Sequence, residues 1–263
     1  MFAQLPFFPK IYLTVLCATL GLVMGSALNC LSYRIAHGQK WSGGRSVCPA
    51  CGHTLGTLDL IPLFSWLFLR GKCRYCKAPV SIRYPLTELC LAVCYTALLY
   101  HFDFSLQLLS CVILCSCLFC LSLVDFEVQL IPDRFLVIPA VVRIAQLLYE
   151  GGFARLGAAL LPALALGGGV LILSLVMDKV LHKESMGGGD IKLLAVLGLY
   201  FSFPCCLLLL VLACVIGLIL AFLTIRAEKS TPFPFGPAIS IAAFLTLLAG
   251  EPLVQWYMGL FAG

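Results

Sequence analysis

Long runs of almost uncharged residues recur along the whole chain, and they restrict its fold more than any other feature. An α-helix rises about 1.5 Å per residue, so about 20 apolar residues cross a hydrocarbon core of about 30 Å. Eight such segments can be read, near 11–33, 86–101, 104–124, 135–149, 156–177, 190–204, 205–225 and 236–256. A backbone in lipid must satisfy its own hydrogen bonds, which at these segment lengths means helices. Composition agrees: of the 263 residues 62% are hydrophobic and only 11% charged, against about 25% charged in a soluble domain. The expectation is an all-α polytopic membrane protein with about eight transmembrane helices. The first segment is read as a span and not a secretory signal, because its apolar run is long, its flank holds only Lys10 and no clear small-residue cleavage site follows.

Lys and Arg are retained on the cytoplasmic side of a membrane, and here they are unevenly placed. The connection 34–85 carries Arg34, Lys40, Arg45, Arg70, Lys72, Arg74, Lys77 and Arg83 against a single acid, Asp59. It is therefore expected in the cytoplasm. Counting spans puts "VDFEVQLIPDR" at 124–134, "MDKVLHKESMGGG" at 177–189 and "TIRAEKSTPFPFG" at 224–236 on that same side. The net charge of +5 then reflects membrane topology and calls for no nucleic-acid partner. The division expected is a first transmembrane helix at 1–33, a cytoplasmic loop domain at 34–85 and a transmembrane domain at 86–263.

Eleven of the fifteen cysteines fall in apolar spans, where a small polarizable side chain packs between helices. The other four form "CPAC" at 48–51 and "CRYC" at 73–76, two CxxC pairs with 21 residues between them. That spacing suits two knuckles donating Cys48, Cys51, Cys73 and Cys76 to one tetrahedral zinc. A loop of this size cannot bury an adequate core, so a metal would supply folding energy. Four thiolates leave no open position, which makes the zinc structural. Disulfides are the competing account, but a cytoplasmic face is reducing. His53 is either a substitute or neighbouring group for the metal or an ordinary exposed histidine.

Ionisable groups at the ends of spans are costly and mark candidate functional sites. Asp125 ends the third span, with Glu127 and Asp133 behind it, and Asp190 opens the sixth. The span count brings Asp125 and Asp190 to one membrane edge although 65 positions separate them. Two adjacent, partly desolvated carboxylates cannot easily both ionise, so they share a proton, the state an aspartic protease uses to activate water and polarise a carbonyl. Gly187, Gly188 and Gly189 precede Asp190 and can adopt positive φ, so a substrate backbone could come near it. The triplet Gly167, Gly168 and Gly169 is expected to serve helix packing. An alternative for Asp190 is an N-cap of the following helix, and Asp133 after Pro132 also suits a helix start.

Taken together, "GSALNCLSYR" at 25–34, the tetracysteine region at 45–89, "VDFEVQLIPD", "MGGGDIKLLAVLG" and "PFGP" at 234–237 resemble the type IV prepilin peptidases, or leader peptidase/N-methyltransferases, which are aspartic peptidases of the glycine-x-glycine-aspartate type. The resemblance covers nearly the whole chain. It implies Asp125 and Asp190 as the catalytic pair, selecting Asp125 over Asp133, and zinc at the four cysteines. It also implies prepilin or pseudopilin substrates of pilus and type II secretion systems, and a bacterial inner-membrane location. Their basic leaders would be cut on the cytoplasmic side, and the new N-terminus methylated from S-adenosylmethionine. No glycine-rich strand-to-helix fingerprint marks a site for that methyl donor. Glu127, Asp133 and Glu184 are candidates to attract the basic leader. A peptidase without methyltransferase activity, a membrane scaffold or transporter with a zinc loop, and a presenilin-type protease cutting within spans are the competing readings; the absence of an internal repeat counts against a transporter and the cysteine loop against the presenilin type.

Overall fold

The computed structural model describes residues 6–40, 44–183, 186–225 and 234–260. Among these the fold is all-α: α1 (Phe7–Ala36), α2 (Phe64–Phe68), α3 (Arg83–Phe102), α4 (Leu106–Val128), α5 (Arg134–Leu181), α6 (Gly188–Gly198), α7 (Phe203–Ile225) and α8 (Gly236–Gly259). Strand-like pairing among them is limited to two isolated bridges, Val47 with Thr54 and Lys72 with Pro79. Six helices, α1, α3, α4, α5, α7 and α8, are long and apolar enough to cross a membrane. Glu184 and most of the 224–236 connection lie outside the described residues. The chain forms two compact units, Met1–Val112 and Ile113–Gly263.

In the first unit α1 packs along α3, and glycine makes the approach possible. A Cβ on Gly21 would lie 2.5 Å from Ala92 Cα, and one on Gly25 would lie 2.7 Å from Glu88 Cα. The four-residue spacing puts both glycines on one helix face, the arrangement that lets backbones meet in lipid, where packing replaces the hydrophobic effect. Glu88 itself is only 5% exposed, and its Oε2 accepts the main-chain N–H of Leu63 at 2.7 Å. Leu63 takes φ 62°, an uncommon value for a leucine, and this hydrogen bond fastens the strained turn before α2 to α3.

In the second unit the 48-residue α5 accounts for two of the eight expected spans. Its helical dihedrals break at Gly152, with φ 62° and ψ −155°, a region that is almost exclusive to glycine. The halves run in opposite directions. Asp133 and Pro139 meet Lys192 and Tyr200 in rising order along α6, whereas Ala163 and Gly167 meet Gly198 and Ala195 in falling order. Arg143, a basic residue inside the span expected at 135–149, has several partners. Its Nε donates to the Leu199 carbonyl at the end of α6 at 3.1 Å, its Nη1 donates to Gln146 at 2.9 Å, and its guanidinium lies 5.1 Å from the Tyr200 ring.

The segment expected as a span at 190–204 takes a shorter form. α6 has 11 residues, about 16 Å of helix, too short to cross alone. Gly198 closes it, and Pro204 sits in the first turn of α7 after the turn at 199–202. One end is tied to Asp133 through Lys192, and the other to Glu251 through Ser202 Oγ at 2.8 Å. The second glycine triplet behaves as expected at one position: a Cβ on Gly167 would lie 2.5 Å from Ala195 Cβ, while Gly168 and Gly169 face open space. Gly167→Leu is therefore expected to lower stability by about 1–3 kcal/mol through overpacking, and Gly168→Leu to be nearly neutral. Thermal unfolding of the two purified variants in detergent checks the contrast.

Candidate functional site

The tetracysteine loop folds as two matched knuckles. In the first, Cys48 N–H donates to His53 O at 2.9 Å and Gly52 N–H to Cys48 O at 2.8 Å. In the second, Cys73 N–H donates to Ala78 O at 2.8 Å and Lys77 N–H to Cys73 O at 3.1 Å. The residue after each pair turns left-handed, Gly52 at φ 67° and Lys77 at φ 62°. The matched knuckles thus span 47–54 and 72–79, and an isolated bridge closes each.

The four Sγ atoms lie within 4.8 Å of one another, and Cys48 and Cys76 are 3.9 Å apart. A tetrahedral zinc with Zn–S of about 2.3 Å needs thiolates about 3.8 Å apart, so the donor set fits the metal. Main-chain N–H groups of Cys51 and then Ala50 pull the Cys48 thiol down to about 7, an environment prepared for thiolate. His53 is not one of the grouped donors. Its ring lies against Tyr75 at 3.6 Å between centroids. Asp59, the loop's only acid, accepts hydrogen bonds from Arg74 at 2.6 Å, Gly56 N–H at 3.1 Å and Tyr75 Oη at 3.1 Å. Burial raises its carboxyl, but these donors outweigh burial and hold it below the usual carboxylate range.

The second constellation is entirely in the second unit. Asp125 lies in the last turn of α4 and is 5% exposed. Its Oδ2 accepts the main-chain N–H of Gly236, the first residue of α8, at 3.0 Å. Asp190 lies in the first turn of α6, near enough for the charge of Asp125 to act on it. Its Oδ1 is buried with no hydrogen-bond partner among the described residues. Two carboxylates distant in sequence are thus within electrostatic range of each other, and the chain that carries them matches known proteins.

The chain matches the Bacterial Peptidase A24 N-terminal domain over residues 19–102 and the Type IV leader peptidase family over residues 112–222. It is 36% identical to a prepilin leader peptidase/N-methyltransferase of Stutzerimonas stutzeri over 274 residues, covering 93% of each chain. Proteins of the same name from Pseudomonas aeruginosa (36% identical, 95% of this chain and 94% of the relative) and Bacillus subtilis (34%, 92% and 97%) are similarly alike. The chain belongs to the prepilin leader peptidase/N-methyltransferase family. It is an enzyme of that family and a multi-pass membrane protein. No solved structure matches it.

Within this peptidase the glycines before Asp190 work differently from the expectation of positive φ. Gly187 is the N-cap of α6, with φ −64° and ψ 136°, and Gly188 and Gly189 are helical. What matters is their size. A Cβ on Gly189 would lie 2.8 Å from Ile131 Cβ, so the "LIPD" segment packs directly on the turn that carries Asp190. Asp190 is the third helical residue and not the cap, which removes the capping alternative.

Asp133 is the N-cap of α5, as its place after Pro132 suggests, and its carboxylate pairs with Lys192 at 2.8 Å. Sequence reasoning gave no role to Lys192, to Ile131 or to Gly236. For Gly236 the available signal was "PFGP", a glycine held between prolines at the start of an apolar run.

Proposed function

We propose that this enzyme is a membrane-embedded aspartic endopeptidase that removes the basic leader of prepilins or pseudopilins on the cytoplasmic side. Asp125 and Asp190 are its catalytic pair. What supports the reading is the electrostatic influence of Asp125 on Asp190, 65 positions away in sequence, in a chain of the type IV leader peptidase family. Cleavage needs one carboxylate to take a proton from water while the other polarises the scissile carbonyl, and a desolvated pair sharing one proton provides both. Gly187 leaves the space beside Asp190 Oδ2 free, where a Cβ would lie 3.4 Å from that oxygen.

Cys48, Cys51, Cys73 and Cys76 hold a structural zinc that gives the 34–85 loop its fold. The same enzyme N-methylates the new N-terminus, with S-adenosylmethionine as donor. This second activity rests on the shared name of the relatives, because the described residues contain no strand-to-helix nucleotide cradle and no residue is assigned to the donor. Incubating the purified enzyme with a prepilin bearing a basic leader tests both activities. Mass spectrometry of the mature N-terminus gives cleavage and methylation separately, and a cleaved but unmethylated product would leave a peptidase alone.

Recognition of the leader is electrostatic in this reading. Asp133 is paired with Lys192, and Glu127 is the second acid of this reading among the described residues. Glu127→Lys is expected to raise KM for a leader with several lysines or arginines by about tenfold, corresponding to roughly 1.4 kcal/mol, with little change in kcat. The shift should shrink in high salt. Unchanged KM would remove Glu127 from recognition.

A further inference from the structure

Peptide hydrolysis by two aspartates requires them to begin in unlike states, and their neighbours in this structure are unlike. Asp125 accepts a hydrogen bond from the first N–H of α8, a donor with no partner inside the helix and located at the helix's positive end. Only glycine permits this contact, since a Cβ at 236 would lie 2.7 Å from the same Asp125 oxygen and 3.2 Å from Leu121. Ser240 Oγ donates to the Gly236 carbonyl at 2.8 Å and so steadies the turn. Asp190 has no such donor, and its buried Oδ1 meets no hydrogen-bonding group among the described residues.

A main-chain N–H and a helix N-terminus favour a charged carboxylate, whereas a buried oxygen without a donor is suited to carry a proton. The other ionisable groups at these helix ends do not reverse the difference. Asp133 and Lys192 offset each other, residues 236–250 of α8 and 203–225 of α7 carry no charge, and Glu127 follows Asp125 on α4.

We propose that Gly236 makes the two aspartates unequal: its N–H holds Asp125 as the base, and Asp190 is left as the acid. The assignment rests on the peptidase reading above. Asp125 takes a proton from water as the water oxygen bonds to the scissile carbonyl carbon, and the Asp190 proton passes to the carbonyl oxygen. The resulting gem-diol collapses. Asp125 gives its proton to the departing nitrogen as the C–N bond breaks, one hydroxyl proton returns to Asp190, and both groups regain their starting states. Gly236 is a positioning residue that acts only through Asp125.

The test is single-turnover cleavage of a prepilin by full-length Asp125→Asn, Asp190→Asn and Gly236→Ala variants. The side-chain amide introduced by Asp190→Asn still offers an N–H to the substrate carbonyl, whereas the amide introduced by Asp125→Asn cannot accept the water proton. The expected losses are therefore about 10²-fold for Asp190→Asn and about 10⁴-fold for Asp125→Asn, the two ends of the usual range for an acid or base. Gly236→Ala is expected to lower kcat with KM nearly unchanged. It should move the acidic limb of the kcat/KM profile to higher pH, because a base without its donor ionises less readily, and leave the basic limb in place.

Equal losses in the two asparagine variants, the opposite order, or a shift confined to the basic limb would overturn the assignment while leaving the peptidase reading intact. Full cleavage by both asparagine variants would instead defeat the peptidase reading. If Gly236→Ala does not fold, the asparagine pair, which preserves side-chain shape, decides the matter alone.

Discussion

Asparagine at Asp125 or at Asp190 is expected to lower prepilin cleavage by at least about 10²-fold, the scale set by losing a proton-transfer group. The larger effect lies in the combination. If the carboxylates work as one unit, the double variant should be scarcely slower than the slower single variant, because removing either partner already stops the proton circuit. Independent contributions would multiply, and a double variant slower by the product of the two losses would count against a shared site. Substrate binding should survive in all three variants. Capture of uncleaved prepilin separates loss of chemistry from loss of recognition, and a loss of capture matching the loss of cleavage would point to misfolding.

The second large effect is expected at the tetracysteine loop. Zinc bound to four thiolates in a small domain contributes free energy on the order of 10 kcal/mol, comparable with the whole stability of an ordinary domain. The purified enzyme should contain about one zinc per chain. Cys48→Ser or Cys73→Ser should empty the site, because each removes one of the four grouped thiols and a serine hydroxyl is a poor zinc ligand, while the main-chain bonds of the knuckle remain. Limited proteolysis should then cut between residues 37 and 82, while circular dichroism still reports the membrane helices. Retention of stoichiometric zinc by either variant, or a protease-resistant loop without metal, would contradict a four-thiolate structural site. The ion pair of Asp59 with Arg74, whose side chain is 45% exposed, contributes too little to replace that energy.

Legibility in the sequence followed the kind of interaction involved. Burial in lipid is additive along a chain, so the long helices could be read from apolar runs alone. The four thiols could be read because two CxxC pairs are the spacing a tetrahedral metal site requires, and the knuckles around Cys48 and Cys73 bring all four together. Counting membrane crossings put Asp125 and Asp190 on one edge, since charge is costly at membrane depth wherever it falls, but the choice of Asp125 over Asp133 came from the family resemblance. Close approach left weaker traces. Gly21 and Gly25 looked like any other glycines until Ala92 and Glu88 were seen against them, and Gly189 was expected to bend the chain when it makes room for Ile131. The contact from Gly236 was invisible for a further reason: its donor is a main-chain N–H, which every residue but proline possesses. The short α6 was read as a longer span because hydropathy continues smoothly through the turn at 199–202.

The reversal at Gly152 bears on how the chain enters the bilayer. Residues 134–181 reach the insertion machinery as one apolar run in which only Glu150, Gly151, Gly152 and Arg155 mark the turn, with Glu150 and Arg155 paired across it at 2.9 Å. There is no polar tether long enough to let the first half settle before the second emerges. The two halves must therefore be inserted together, as a preformed hairpin whose tip crosses to the far side. A side chain at position 152 would meet open space but would strain the backbone that makes the reversal, so its damage should appear as degraded or inverted protein and not as a slow mature enzyme.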